Sequence, residues 1–306
     1  MKNRKPLGSL ARLDRKVRAS IERRILDSKD WSSARRMWLA SGYMKWRCWA
    51  LRNAVRSGLW VPNGLDVTMA FGLKPGDTFF DIGANVGWVT QPATWLVGRH
   101  GSVHCFEPSP TTIGYLRRRL VCMGLSNVVV NQLALGTASG GATLYECAEN
   151  FGGSSSLRPG AAPGQHVSAG TPVAIRTLDD YVEQNSVSRI RLIKIDVQGS
   201  EIDVLRGAVR LLAPQNRPVL YVEIETIADA AFGYTASDLL NILTGYGYEL
   251  FSWREIGLVS VRDEKDLPAE GHDDVICLSP GIDDVLRSRL VRLAECPRLR
   301  FPSQMA

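Results

Sequence analysis

Between residues 79 and 87 the chain reads Phe-Phe-Asp-Ile-Gly-Ala-Asn-Val-Gly, an apolar run that breaks into a glycine-punctuated turn. Twenty residues past Gly87 stands a lone acid, Glu107, at the end of a second apolar run. A strand-to-helix turn this tight needs residues without a side-chain penalty, and a ligand can approach bare backbone at Gly83 and Gly87. A carboxylate at the end of the next strand can accept both hydroxyls of a ribose. The pair therefore points to a cofactor of nucleotide type.

A glycine turn after a strand also occurs in dinucleotide sites and in purely structural turns, so the residue before it decides more than the glycines do. Asp81 stands where a pyrophosphate site would want glycine. An acid there repels phosphate and suits a cation. S-adenosylmethionine carries no phosphate and offers an ammonium and a sulfonium, so it is the cofactor these residues favour.

Further along, Arg-Leu-Ile-Lys-Ile-Asp-Val (191 to 197) places Lys194 and Asp196 two residues apart on one face of a strand, with Leu192 behind them. Glu223 ends the next apolar run. In an open parallel sheet, ligands bind beyond the carboxyl ends of the strands, and Asp81, Glu107, Asp196 and Glu223 all fall at or near such ends. Burying a carboxylate without partners costs several kcal/mol, so a sequence serving only a core would not choose four of them there.

The elements that must position these acids alternate from Val61 onward, which predicts a parallel α/β sheet wrapped by helices. Strands are expected at Thr78 to Ile82, Ser102 to Phe106, Asn127 to Gln132, Arg191 to Val197 and Val219 to Ile224. Helices are expected at Trp88 to Val97, Pro110 to Met123, Glu201 to Leu212 and near Ala236 to Thr244. Ala142 to Cys147 is expected to continue or extend the sheet. Tyr248 to Trp253 and Asp274 to Leu278 read as two closing strands joined by a hairpin-like connection. Residues 149 to 171 turn small and polar, and read as a long loop placed to border the active site.

The chain has 306 residues with 45% hydrophobic and 22% charged, suited to one large domain plus an appendage. It contains no run of eighteen apolar residues, and its amino terminus is charged where a secretory signal would be apolar, so a cytoplasmic location is expected. Six cysteines without a Cys-x-x-Cys pair and four unclustered histidines suggest neither a disulfide framework nor a metal site.

Charge divides the chain in two. Residues 1 to 60 carry 16 Lys and Arg against 4 Asp and Glu, net +12, and the remainder carries 21 against 27, net −6. Within residues 1 to 60, Leu10, Leu13, Val17, Ile21 and Ile25, then Met44, Cys48, Leu51, Val55 and Leu59, recur at helical spacing, and five tryptophans are interleaved with arginine. The expected division is thus a basic amphipathic helical extension over 1–60 and a catalytic domain over 61–306. The arm could cap the body, meet anionic lipid headgroups as a peripheral membrane contact, or cover a second subunit in a homodimer. The acidic body and the lack of an RNA-binding module disfavour nucleic acid.

Taken together, Asp81-Ile-Gly-Ala-Asn-Val-Gly87, Phe106-Glu107-Pro108, Leu133-Ala-Leu-Gly136, Gly-Gly-Ser-Ser-Ser-Leu157, Thr177-Leu-Asp-Asp-Tyr181, Lys194-Ile-Asp-Val-Gln-Gly199 with Glu201, Leu205-Arg-Gly-Ala208 and Val222-Glu223 resemble the FkbM family of methyltransferases. The match runs in the family's order over about residues 61 to 280. It implies a Rossmann-like, seven-stranded class I methyltransferase sheet flanked by helices, S-adenosylmethionine as cofactor, and methylation of a hydroxyl on a sugar, glycoconjugate or related small molecule.

Carried over by position, Gly83, Ala84, Asn85 and Gly87 would wrap the methionine part of the cofactor, Asp81 would sit near its amino group, and Glu107 would hold the ribose. Asn131 and Gln132 fall where an adenine contact is expected. Asp196 is the first choice for proton acceptor and Glu223 the second, because an alcohol is a poor nucleophile at neutral pH. Ser155, in the polar loop, and Gln198 are expected on the acceptor side. Many relatives carry Glu where this chain has Gln198, so a charge-dependent role there is in doubt.

Overall fold

The computed structural model describes residues 64–146, 155–158, 170–225, 230–254, 257–268 and 272–294. The basic arm and its two expected helices lie outside the described residues, as does most of the 149 to 171 loop.

In chain order the elements are α1 (Gly64–Gly72), β1 (Thr78–Ile82), α2 (Thr90–Val97), β2 (Ser102–Phe106), α3 (Pro110–Cys122), β3 (Val128–Asn131), β4 (Ala134–Leu135), β5 (Gly140–Leu144) and β6 (Thr171–Arg176). They continue with α4 (Leu178–Gln184), β7 (Ile190–Ile195), α5 (Glu201–Arg206), β8 (Val219–Glu225), α6 (Ala236–Gly245), β9 (Glu249–Arg254), β10 (Gly257–Val261), β11 (His272–Leu278) and α7 (Asp284–Ala294).

Eight strands form the main sheet in the order β10-β9-β11-β8-β7-β1-β2-β3. The pairs from β3 through β8 are parallel, whereas β11 runs antiparallel to both β8 and β9. Strand order reverses at β1, which has β2 on one side and β7 on the other. A crevice at the carboxyl ends of these three strands follows from that reversal.

β1 is buried on both faces, so successive side chains feed two cores. Phe80 and Ile193 pack with Leu178 of α4, Val204 of α5 and Leu239 of α6, while Phe79 and Leu192 pack with Met69 of α1, Ala93 of α2 and Leu290 of α7. A third cluster, Cys105 with Ile113, Leu116 and Leu120, seats α3. His104 belongs to the first face. Its Nδ1 lies 2.7 Å from the Tyr181 hydroxyl, and burial pulls its pKa down to about 4, so it is a neutral core histidine.

Three expectations need correction. The stretch near Ala142 does not extend the main sheet: Gly140–Leu144 pairs with Thr171–Arg176, and with β4 they form a separate three-stranded sheet. The expected loop ends one residue early, at Gly170, where Thr171–Arg176, a stretch for which no element is expected, forms an alternating strand that Gly170 and Pro172 mask in the sequence. The closing strands are neighbours but not a hairpin. β10 intervenes, forming its own hairpin with β9 and adding an eighth strand at the edge of the expected seven.

Candidate active site

The glycine turn is held by the end of β2, by the Asn85 side chain and by its own backbone. Gly83 and Ala84 both donate their N–H to the Phe106 carbonyl, Val86 donates to Asn85 Oδ1, and Gly87 donates to the Ala84 carbonyl. Gly83 has φ +76, and a Cβ there would lie 1.7 Å from the Asp196 carbonyl oxygen. Only glycine allows the turn after β1 to approach the turn after β7 this closely. Gly87, at φ +84, serves packing instead: a Cβ there would lie 2.5 Å from Leu116 Cδ1 in α3.

Glu107 follows β2 and is clamped by two amides. Asn85 N–H donates to one carboxylate oxygen and Ser109 N–H to the other, each at 2.9 Å. Burial nonetheless dominates and pushes its pKa up to about 7. Ser109 also caps α3, accepting from Thr112 N–H, and donates to Glu146, which ties the second sheet to this loop.

At the carboxyl ends of β1 and β7 lies an acid cluster around one ammonium. Lys194 Nζ donates to the Gly83 carbonyl at 2.9 Å, pairs with Asp196 Oδ2 at 2.9 Å and lies 3.7 Å from Asp81 Oδ1. Burial opposes its charge, but Asp196 and Asp81 outweigh that and hold the ammonium protonated. Asp81 is fully buried, accepts from Thr90 Oγ1 at 2.6 Å, and is raised by burial in spite of Lys194. Its Oδ1 has no hydrogen-bond donor.

Gln198 completes the cluster in a left-handed conformation, φ +58. Its Nε2 donates to Asp196 Oδ1 at 3.1 Å and to Glu223 Oε2 at 2.7 Å. Burial pushes the Asp196 carboxyl upward, but Lys194 and the surrounding donors outweigh it and leave its pKa below the ordinary range. Glu223 is raised, by burial first and then by the Asp196 charge, so one proton is held preferentially on Glu223.

A cavity of about 210 Å³ opens at this end of the sheet. Gly83, Ala84 and Asn85 line it beside Glu107, and Lys194, Asp196 and Gln198 line it from β7. Ser155, Ser156 and Leu157 close one side, strapped down where Ser156 Oγ donates to the Gln198 carbonyl at 3.0 Å and Tyr145 pairs with Ser156. Of the residues expected in the site, Asp81 lies beneath the floor and Glu223 reaches it through Gln198. Asn131 and Gln132 do not line the cavity. Asn131 Nδ2 turns back to the Cys105 carbonyl at 3.1 Å, and Leu133, Ala134 and Leu135 form that wall.

His272, which the sequence leaves among unclustered histidines, lies 3.3 Å from Glu225 Oε2 and 3.8 Å from Glu223 Oε1. The antiparallel pairing of β11 on β8 brings it there, opposite Glu225. Only the His-Asp-Asp run opening that strand hints at a polar role in the sequence. Among the described residues no group of His, Cys, Asp and Glu is arranged to hold a metal ion.

The residues fit S-adenosylmethionine. A bare glycine turn, a clamped carboxylate at the ribose position, and an acid cluster able to receive an ammonium converge on one cavity without a phosphate-binding nest. A sheet of this order with such a site defines a class I methyltransferase architecture. The methyltransferase FkbM domain model matches residues 81–250, and the chain belongs to that family. Membership makes it an S-adenosylmethionine-dependent methyltransferase.

Among its relatives is the 31-O-demethyl-FK506 methyltransferase FkbM of Streptomyces tacrolimicus, 28% identical over 224 residues that cover 62% of this chain and 82% of the relative. The hexuronic acid methyltransferase AglP of Haloferax volcanii is 28% identical over 156 residues, 50% of this chain and 58% of AglP. A solved FkbM methyltransferase from Methylobacillus flagellatus aligns at 16% identity with a TM-score of 0.42, covering 66% of this chain and 44% of that one.

Proposed function

We propose that this enzyme moves the methyl of S-adenosylmethionine to a hydroxyl of a sugar, glycoconjugate or related natural product. The observation that carries the reading is the Asp196 carboxylate, a third exposed at the cavity rim and fixed by Lys194 and Gln198. The relative named for 31-O-demethyl-FK506 supports an oxygen acceptor, and the one named for hexuronic acid supports a sugar-derived one.

When bound, S-adenosylmethionine supplies an electrophilic methyl on a sulfonium. Gly83 to Asn85 and Glu107 would hold it against the floor, which fixes the direction of approach from the β7 side. Asp196 would accept a hydrogen bond from the attacking hydroxyl and orient its lone pair. A neutral alcohol becomes strongly acidic as it gains the methyl, so even a carboxylate of low basicity suffices to take the proton. Lys194 holds Asp196 ionised for that role, and Gln198 keeps it in place.

The same reading keeps the enzyme in the cytoplasm with its basic arm toward anionic headgroups that present a lipid-linked acceptor, supported by the net +12 of residues 1 to 60. The described residues contain no helix long and apolar enough to cross a membrane. The test is incubation of the full chain with methyl-labelled S-adenosylmethionine and fractionated host extract, where label is expected in a glycolipid or polysaccharide fraction. Label confined to RNA would assign another acceptor class.

A further inference from the structure

The methionine end of S-adenosylmethionine carries a carboxylate, and a carboxylate entering a cavity rimmed by Glu107 and Asp196 needs hydrogen-bond donors that the protein has not already used. The obvious donors are used. The five consecutive amides from Gly83 to Gly87 all donate to the protein itself, to Phe106 and Glu107 at the end of β2 and to Asn85 and Ala84 within the turn. On the opposite wall Asp196 N–H donates to the Ile82 carbonyl, and Val197 and Gly199 N–H donate to the Glu201 carboxylate. Lys194, Ser156 and the Gln198 amide are committed to Gly83, Gln198 and the Asp196–Glu223 pair.

Among the cavity-lining residues described, Ser155 alone has a side-chain polar atom that is buried without a hydrogen-bond partner. Ser155 Oγ is buried and has no hydrogen-bond partner, although its neighbour Ser156 is bonded on both sides. A buried hydroxyl left unsatisfied is costly, and a ligand in the cavity that accepts from it relieves that cost. Its backbone position is set by the Tyr145–Ser156 bridge and by the Ser156 bond to Gln198, so it is held in place before any ligand arrives.

We propose that Ser155 is a cofactor-binding residue whose hydroxyl donates to the carboxylate of the methionine moiety. The strap that carries it therefore reads the amino-acid end of the cofactor. The inference rests on the S-adenosylmethionine reading of the cavity, and it moves Ser155 from the acceptor side, where the sequence suggested it, to the cofactor.

The test compares two ligands by calorimetry on the full chain: S-adenosylhomocysteine, which has the carboxylate, and 5′-methylthioadenosine, which has the adenosine and sulfur but no amino-acid end. Ser155→Ala is expected to weaken S-adenosylhomocysteine binding about tenfold while leaving methylthioadenosine within twofold of wild type. Retained methylthioadenosine binding also shows that the variant folds. Equal weakening of both ligands, or no change in either, overturns the proposal while leaving the methyl-transfer reading standing. A wild type that binds neither compound contradicts the proposal and the proposed function together.

Discussion

Lys194 Nζ sits 2.9 Å from Asp196 Oδ2 while donating to the Gly83 carbonyl at the same distance, so one ammonium joins the acid of the fourth parallel strand to the cofactor turn. Among the described residues it is also the cation paired with buried Asp81, at 3.7 Å. Replacing it by methionine keeps the stem and removes the charge, leaving two carboxylates without their counterion. Lys194→Met is expected to destabilise the fold by roughly 3–5 kcal/mol, the cost of breaking a buried pair from one side. Urea unfolding monitored by tryptophan fluorescence measures it, and a loss below about 1 kcal/mol would mean the carboxylates are neutralised by protonation instead.

Glu107 gives a pH dependence with a definite sign. Burial raises the free enzyme's carboxyl to about 7, and a ribose is best gripped by the ionised form, which accepts two hydroxyls. S-adenosylhomocysteine affinity should therefore rise with pH up to about 7 and level off above, with proton release on binding below that point. Glu107→Gln should bind more weakly and lose the slope. Calorimetry between pH 5.5 and 8.5 in buffers of different ionisation enthalpy reads both.

Gln198 separates two acids that would otherwise repel. In Gln198→Glu a third carboxylate replaces the donor that bridges Asp196 and Glu223. The new acid's pKa would be raised by its neighbours above its unfolded value, so its cost is absent at low pH and grows as pH rises through the ordinary carboxylate range. The variant's melting temperature should lie near wild type at pH 5 and fall several degrees below it at pH 8. Equal melting temperatures at both pH values would show that the side chain has swung clear of the pair.

Much of this was legible in the chain because the informative signals are local. Thr78–Ile82 and Ser102–Phe106 are bounded by a glycine turn and by Glu107-Pro108, and full burial of β1 on both faces surrounds its one acid, Asp81, with Phe79, Phe80 and Ile82. Thr177 is local too: it caps α4 by accepting from Asp180 N–H. What escaped depends on distant pairing. His272 meets Glu223 only because β11 inserts antiparallel beside β8. Asn131 was expected at the adenine because it ends β3, but its amide folds back onto the sheet and leaves that wall to Leu133 and its neighbours.

Gly83 offers a backbone test of the same site. With φ +76 and the Asp196 carbonyl 1.7 Å from a built Cβ, Gly83→Ala must push the β1 and β7 turns apart. The expected result is a loss of roughly 2 kcal/mol or more of stability and no detectable S-adenosylhomocysteine binding. A folded variant with wild-type affinity would show that the turn does not hold the cofactor.

The most direct measurement is the fate of labelled methyl with wild type and with Asp196→Asn, which keeps the shape of the side chain and removes its charge. Wild type is expected to label a carbohydrate-containing fraction with a methyl that survives mild alkali, as an ether does and an ester does not. Asp196→Asn should lose at least about a hundredfold in that transfer, with S-adenosylhomocysteine binding changed less than tenfold. Alkali-labile label, or undiminished transfer by Asp196→Asn, would contradict hydroxyl methylation assisted by Asp196.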